Sequence, residues 1–426
     1  MDGGIFWNHI EPDRKEECTM DVFMARQPIL DARRQVFAYE LLFRSGEGNH
    51  FAGGDGDLAT TQVIQSSFMS IGLGDMIRDT RIFINFTAGL LLNRTPLSLP
   101  PDTVTVEILE NVEPTAEIIA AVREIREAGF MIALDDFLAK DQAHPLLPFA
   151  DIVKVDFMGT TIRERANIVS VLRRPGLTFL AEKVEDYETF RLATAQGYTL
   201  FQGYFFQKPE LLSGKALSGN QLSRFRLLAA LSQPDGSVHD LSEIIRQDVS
   251  LTYKLLKFIN TPYFGLKRTV NSIDFAITLL GADQIRRWAA LVTMGQIGEE
   301  KPSELVLSSL VRGLLCESLF LEKPSSDLRK SSSFFLAGLL SLIDAMVDMP
   351  MEQVLSDLPL DPEVRGALTG SASLAKDILD LVVAYEQGRW VELVSGLERT
   401  RLGVDRVSEK HRQALVQAQQ LLCISR

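Results

Sequence analysis

The chain is poor in the residues from which disulfides and soft-metal sites are built. It has three cysteines, Cys18, Cys316 and Cys423, and five histidines among 426 residues. Cysteines so few, odd in number and far apart exclude a disulfide framework and fit a reducing, cytoplasmic setting. Positive charge is also short: 44 Lys and Arg stand against 56 Asp and Glu, a formal net charge of −12. That excludes a broad basic surface for direct nucleic-acid binding. It leaves room for a small phosphate-bearing ligand, met by metal and local arginines. No apolar run approaches the ~18 residues of a membrane span. The best, Phe334 to Ile343, is short and is followed by Asp344. The first residues are acidic and polar, unlike a signal peptide, and 1–20 is read as a loose leader.

What remains is ordinary globular composition, 46% hydrophobic and 23% charged. The length suits two or three domains. The pattern that organises the first half is Met131-Ile-Ala-Leu-Asp-Asp-Phe137, an apolar run that leads into two adjacent carboxylates. A continuous apolar run of this length reads as a strand covered on both faces. Two acids at its end are costly unless a positive group meets them, and a hard divalent cation is one such group. Taken alone, Asp135 and Asp136 read more readily as caps of a following helix. The pattern, however, recurs along the chain.

Val22 to Leu30 and Gln35 to Phe43 read as strands joined by a hairpin turn at Asp31-Ala-Arg-Arg34. A polar glycine-rich loop, Ser45 to Asp57, and a helical stretch, Leu58 to Ile71, follow. Strands then alternate with helices. The strands are Arg81 to Phe86, Thr103 to Glu110, the double-Asp run, Asp151 to Asp156, Thr178 to Val184 and Tyr198 to Phe206. The helices are Pro114 to Ala128, Thr160 to Arg173 and Tyr187 to Gln196. This βα alternation predicts a parallel sheet, open or closed. Glu40, Asn85, Glu107, Asp135, Asp136, Lys154, Glu182 and Gln202 all lie in or at the ends of these strands. A (β/α)₈ barrel brings its C-terminal strand ends to one mouth, where these groups would form a single site. Such a site is rich in oxygen and holds no Cys or His, so Mg²⁺ or Mn²⁺ suits it better than zinc. A pair of such ions is a standard arrangement for phosphodiester hydrolysis.

These motifs carry a resemblance. Tyr39-Glu-Leu-Leu-Phe-Arg44, Ile84-Asn-Phe-Thr87, Val106-Glu-Ile-Leu-Glu110 and Leu134-Asp-Asp-Phe137 come first. Val153-Lys-Val-Asp156, Ala181-Glu-Lys-Val-Glu185 and Gln202-Gly-Tyr204 follow. In this order they resemble the EAL domain, over roughly Val22 to Leu212. The resemblance implies a TIM-like (β/α)₈ barrel that hydrolyses cyclic di-GMP to linear pGpG with Mg²⁺ or Mn²⁺. It implies Glu40, Asn85, Glu107, Asp135 and Asp136 as metal ligands. It implies Glu182 as a ligand or base, with Lys154 and Gln202 positioning water. Gln27 and Arg44 would contact the dinucleotide, and Glu110 would support the loop after the double-Asp strand.

The chain also departs from the family pattern. Glu-Leu-Leu replaces Glu-Ala-Leu at 40–42. Lys183 replaces the glycine of Glu-Gly-Val-Glu. Leu138-Ala-Lys-Asp-Gln-Ala-His-Pro145 replaces the glycine-rich loop that the family ties to metal binding and dimerisation. Two outcomes stay open: an active phosphodiesterase, or an inactive sensor or docking protein. A homodimer is a further expectation.

From about 213 onward the strand patterns stop. Leu241 to Asn260 has the apolar spacing of a helix, Thr261 to Gly265 reads as a turn, and Val270 to Gly281 is helical again. These stretches resemble the HDOD domain, an all-helical relative of the HD phosphohydrolases without their metal site. The sparse histidines agree, His239 and His411 being the two in this half. Gly338-Leu-Leu-Ser-Leu342 stands where a catalytic relative has Gly-Leu-Leu-His-Asp. The resemblance implies that residues 213–426 form a noncatalytic module binding an unidentified signalling protein through its helix faces. Val404 to Ile424 reads as a closing amphipathic helix. The whole resembles a cytoplasmic bacterial signalling protein, with a barrel over 21–212 and no membrane partner.

Overall fold

A computed structural model describes residues 22–45, 80–210, 224, 227–228, 238–260, 270–299, 301–324, 326–327, 330–356, 358 and 360–425. The leader, the loop and helix read between Ser45 and Ile71, and the turn from Thr261 to Gly265 lie outside the described residues.

Eight strands close into a barrel in chain order: β1 (Val22–Asp31), β2 (Val36–Ser45), β3 (Arg81–Phe86), β4 (Val104–Ile108), β5 (Met131–Leu134), β6 (Ile152–Asp156), β7 (Thr178–Glu182) and β8 (Leu200–Gln202). From β2 to β8 all neighbours are parallel. β1 alone runs against both its neighbours, β2 and β8. The hairpin expected at Asp31–Arg34 causes this reversal. Asp31 Oδ1 accepts from the Arg33 and Gln35 amides at 2.8 Å, and Arg34 takes a left-handed φ of 63°.

Among the described residues four helices cover the outside: α1 (Ala88–Leu92), α2 (Ala116–Glu127), α3 (Ile162–Leu172) and α4 (Tyr187–Gln196). Their first turns are capped by Thr87, Thr115, Thr161 and Asp186, each satisfying an amide that the helix itself leaves free. Two short 3₁₀ turns, Ala139–Asp141 and Leu147–Phe149, follow β5.

The period of two along each strand separates the layers. Ile82, Ile84, Val106, Ile132, Val153 and Val155 face outward and pack with Ile118, Val122, Ile125 and Ile168. Ile29, Ala38, Phe83, Ala133, Ile152, Leu180 and Leu200 fill the interior as a separate buried plug. Two residues beyond each buried interior position of β2 to β8, where β4 contributes Thr105, a polar residue reaches the mouth. Ala38 is followed by Glu40, Phe83 by Asn85, Thr105 by Glu107, Ala133 by Asp135, Ile152 by Lys154, Leu180 by Glu182 and Leu200 by Gln202. On the reversed β1 the order inverts, and Gln27 precedes Ile29.

The strands at 178–184 and 198–206 are shorter than their apolar runs. After Glu182 and Gln202 the two backbones come into close contact. The Val184 amide donates to the Gln202 carbonyl at 2.9 Å, and Gly203 takes a φ of +144°. A Cβ on Gly203 would overlap the Val184 backbone, so only glycine fits.

The second half is helical: α5 (Val238–Gln247), α6 (Val249–Ile259), α7 (Ile273–Leu280), α8 (Ala282–Ile297), α9 (Ser303–Leu321), α10 (Ser331–Leu340), α11 (Ile343–Val347), α12 (Met351–Ser356), α13 (Pro362–Thr369), α14 (Leu374–Glu386), α15 (Trp390–Thr400) and α16 (Val404–Ser425). The single helix expected from Leu241 to Asn260 is two. Asp248 turns extended between them and accepts from the Leu251 amide at 3.0 Å, capping α6. The helix expected from Val270 starts at Ile273, capped by Ser272, and the closing helix from Val404 forms as read. Outer barrel residues and the inner faces of α9, α10, α14 and α16 belong to one continuous apolar core. Among the described residues no helix is long and apolar enough to cross a membrane.

Candidate active site at the barrel mouth

Strand register brings the polar residues together. Glu40 is opposite Gln27, Asn85 opposite Glu107, and Asp156 opposite Glu182. The side chain at the centre is Lys154 on β6, 1% exposed. Its Nζ is 3.2 Å from Glu40 Oε2, 3.1 Å from Asp135 Oδ1 and 2.8 Å from Glu182 Oε1, and it also pairs with Glu107 Oε1. One ammonium thus meets carboxylates from four strands. A buried lysine would ordinarily lose its proton; here the four acids outweigh burial and hold its pKa well above the usual value.

The acids compete in turn. Burial, then Glu40, pushes the Glu107 carboxyl well up despite Lys154. Burial raises Glu182 to about 8, with Lys154 opposing and Asp135 and Glu40 adding to the rise. One cation cannot neutralise four ionised acids, and the raised Glu107 and Glu182 carboxyls reflect that mutual repulsion and burial.

The amides complete the ring around Glu40. Asn85 Nδ2 donates to Glu40 Oε1 at 3.0 Å, and Gln202 Nε2 donates to Glu40 Oε2 at 2.6 Å and to Gln27 Oε1 at 2.8 Å. Four acceptors in this ring are buried with no hydrogen-bond donor: Asn85 Oδ1, Glu107 Oε2, Asp135 Oδ1 and Gln202 Oε1. Asp135 Oδ1 lies within ion-pair distance of Lys154 but outside hydrogen-bond geometry. Buried oxygens without donors are rare because each costs free energy. An all-oxygen set of this kind fits a hard divalent cation.

The double-Asp segment is held between β4 and β6. The Asp135 amide donates to the Ile108 carbonyl at 3.0 Å and the Phe137 amide to the Lys154 carbonyl at 2.9 Å. Asp136 sits between them at a left-handed φ of 41°. Burial, then Asp135, raises its carboxyl pKa. Glu110, Asp135 and Asp136 form a second acidic group, with one oxygen of each within 4.8 Å of the others. The family resemblance implies only a supporting role for Glu110. Its closeness to the Asp pair depends on how the chain leaves β4, which no local pattern encodes.

Lys183 is also at the rim, at a left-handed φ of 53°. Its Nζ is 2.6 Å from Asp156 Oδ2. Burial would raise the Asp156 carboxyl, but Lys183 and the Gly159 and Met158 amides outweigh it and hold the carboxyl below its usual range. The glycine-free loop after Phe137 closes on itself: the Leu138 amide donates to Asp141 Oδ2 at 3.0 Å. Arg44 lies on β2 opposite Phe23, four residues past Glu40. Its side chain is outside the described parts, as is that of His239. In the helical half, Ser341 stands where a catalytic relative has histidine. Its hydroxyl accepts from Arg312 Nη1 at 3.2 Å and donates to the Gly338 carbonyl at 2.7 Å.

Comparison with known proteins places both halves. Residues 57–209 match the EAL domain and residues 222–353 the HDOD domain. The chain is 38% identical to the uncharacterized protein YuxH of Bacillus subtilis over 379 residues, 87% of this chain and 92% of that one. It is 35% identical to the cyclic di-GMP phosphodiesterase CdgJ of Vibrio cholerae over 416 residues, 96% of this chain and 95% of that one. Among solved structures it is similar to Klebsiella pneumoniae BlrP1 in its manganese and cyclic di-GMP complex, with 25% identity, 44% of this chain, 56% of that chain and a TM-score of 0.38.

Proposed function

This chain belongs to the family that joins an EAL domain to an HDOD domain, and on that footing we propose that its barrel binds cyclic di-GMP and hydrolyses it to linear pGpG. The observation that carries this reading is the convergence of Glu40, Glu107, Asp135 and Glu182 on Lys154, with donorless oxygens of Asn85 and Glu107 beside them. CdgJ, a relative over nearly its full length, is named a cyclic di-GMP phosphodiesterase.

Glu40, Asn85, Glu107 and Asp135 would hold Mg²⁺ or Mn²⁺, with Asp136 and Glu110 at the rim able to hold another. A divalent cation bound there supplies positive charge to the phosphoryl oxygens and lowers the pKa of a bound water. Lys154 keeps the acids close and would add fixed positive charge to the site that takes the phosphate. Glu182, held at the mouth by Lys154 at 2.8 Å, is placed to exchange a proton with the attacking water. Gln202 and Gln27 orient Glu40 and offer amide contacts to the dinucleotide, with Arg44 as a phosphate partner. The HDOD half acts as a noncatalytic module for a protein partner, in the cytoplasm.

A second reading, a receptor that binds the dinucleotide without cleaving it, is favoured by the Lys183–Asp156 pair. Full-length protein assayed with Mn²⁺ for pGpG, against Glu40→Ala, separates the two. Turnover lost in that variant supports hydrolysis. Binding by calorimetry with no pGpG supports the receptor.

A further inference from the structure

Along β1, β2 and the segment after β8, neighbouring residues face opposite ways. Gln27, Glu40 and Gln202 face the mouth, while Arg26, Tyr39, Tyr204 and Gln207 face the helical domain. The Tyr39 hydroxyl donates to Glu304 Oε2 at 2.7 Å. Arg26 Nη2 donates to Glu304 Oε1 at 3.4 Å, and its guanidinium lies 4.1 Å from the Tyr39 ring centre. Glu304 belongs to the first turn of α9 and is 4% exposed. Two turns further on, Arg312 Nη2 donates to Gln207 Oε1 at 2.8 Å, and its Nε donates to Glu386 Oε2 at 2.6 Å.

Buried charges of this kind are poor glue. Their desolvation cost offsets most of the attraction, and an apolar contact would hold the domains as well. What they provide is a fixed geometry. Tyr39 has one hydroxyl, and its hydrogen bond to Glu304 ties that residue of β2 to the start of α9. The next residue is Glu40, whose carboxylate takes hydrogen bonds from Asn85, Lys154 and Gln202.

We propose that Glu304 is a positioning residue for the nucleotide site: from the helical domain, through the Tyr39 hydroxyl, it sets the position of Glu40. A shift of α9 then changes the geometry of the mouth, and this is the path by which a partner on the helical domain reaches the barrel. The inference rests on the reading of the barrel as a metal-dependent cyclic di-GMP site.

The test uses the full chain with Tyr39→Phe, Glu304→Ala, Glu304→Gln and the Tyr39→Phe/Glu304→Ala double variant. The readouts are Mn²⁺ affinity by calorimetry, kcat and KM for cyclic di-GMP, and thermal unfolding. Tyr39→Phe and Glu304→Ala should each lower kcat about tenfold and weaken Mn²⁺ binding, with KM little changed, because a small misplacement of a reacting group is expensive. The double variant should lose no more than either single one. Glu304→Gln, whose amide oxygen still accepts from Tyr39, should keep kcat near that of the unmodified chain. Should Glu304→Ala fail to fold, Tyr39→Phe, which removes one oxygen, carries the test. The proposal is overturned if the variants lose thermal stability alone, or if Glu304→Gln is as damaging as Glu304→Ala. A chain that binds Mn²⁺ and cyclic di-GMP without turnover would end the hydrolytic reading. The positioning claim would then stand or fall on whether Tyr39→Phe weakens both affinities.

Discussion

The Lys183 ammonium lies 2.6 Å from the Asp156 carboxylate, at the rim of a site that otherwise gathers negative charge. Lys183 follows Glu182 directly, and its backbone takes the left-handed φ of 53° that glycine accepts without cost. The bulky cation therefore occupies strained backbone to reach its partner. The register that pairs Asp156 with Glu182 makes the contact available.

Replacing Lys183 with glycine should strengthen divalent-cation binding. The change frees Asp156 and removes one positive charge from the rim. Mn²⁺ affinity by calorimetry should rise roughly tenfold, the order expected for one neighbouring unit charge near a protein surface. Thermal stability should hardly move, because the lost half-exposed ion pair contributes at most about 1 kcal/mol and the relieved backbone returns a similar amount. Unchanged Mn²⁺ affinity would show that Lys183 has no bearing on the site's charge.

Lys154 gives a prediction of opposite sign. Lys154→Met leaves Glu40, Glu107, Asp135 and Glu182 facing one another without their shared cation. Breaking a buried ion pair from one side costs about 3–5 kcal/mol. The variant should melt well below the unmodified chain in EDTA, and Mn²⁺ should restore more stability to it than to the unmodified chain, since the ion meets less competing charge. Equal stabilisation of both proteins by Mn²⁺ would place the ion away from these acids.

The polar ring was legible because its residues violate the pattern around them. Glu40, Glu107, Lys154 and Glu182 interrupt apolar strands at positions where a core residue is expected, and a closed barrel collects such interruptions at one end. The hairpin at Asp31–Arg34 carried its turn residues openly. The break at Asp248 also had a local signal, an Asp ahead of a fresh apolar period, but the continuous apolar spacing from Leu241 to Asn260 masked it. The shortening of the strands at Val184 and Phe206 was not legible, because it accompanies a close backbone contact between segments remote in sequence. The same holds for Glu110 beside Asp135 and Asp136, for Lys183 on Asp156, and for Tyr39 on Glu304. Each partner is fixed by register or by domain docking.

That close backbone contact makes Gly203 sensitive to change. Gly203→Ala must accommodate a methyl against the Val184 carbonyl and a φ of +144° that L-residues avoid. The expected loss is about 2–4 kcal/mol of unfolding free energy, the combined order of backbone strain and overpacking. Because Gln202 immediately precedes it, the surviving folded fraction should also bind cyclic di-GMP more weakly. Denaturant unfolding and calorimetry on the same preparation measure both. A variant as stable as the unmodified chain would contradict the close approach.

His411 on α16 gives a pH dependence whose sign can be worked out. It packs against the Tyr385 ring, 4.9 Å between centroids. Burial, then the nearby Arg26 charge, lowers its pKa to about 4, with Glu386 opposing weakly. In the unfolded chain the value is about 6.5. Between these two values the unfolded state binds more protons, so His411 makes no demand above pH ~6.5 and destabilises the fold as pH falls toward 4. Its contribution should be on the order of 2 kcal/mol, after allowance for partial exposure. Other groups titrate in the same range, so the quantity to measure is a difference. The unfolding free energy of the chain minus that of His411→Gln should fall steadily from pH ~7 to pH ~4.5. If that difference stays constant with pH, the histidine is not held neutral by the seam between barrel and helices, and its ring meets water there.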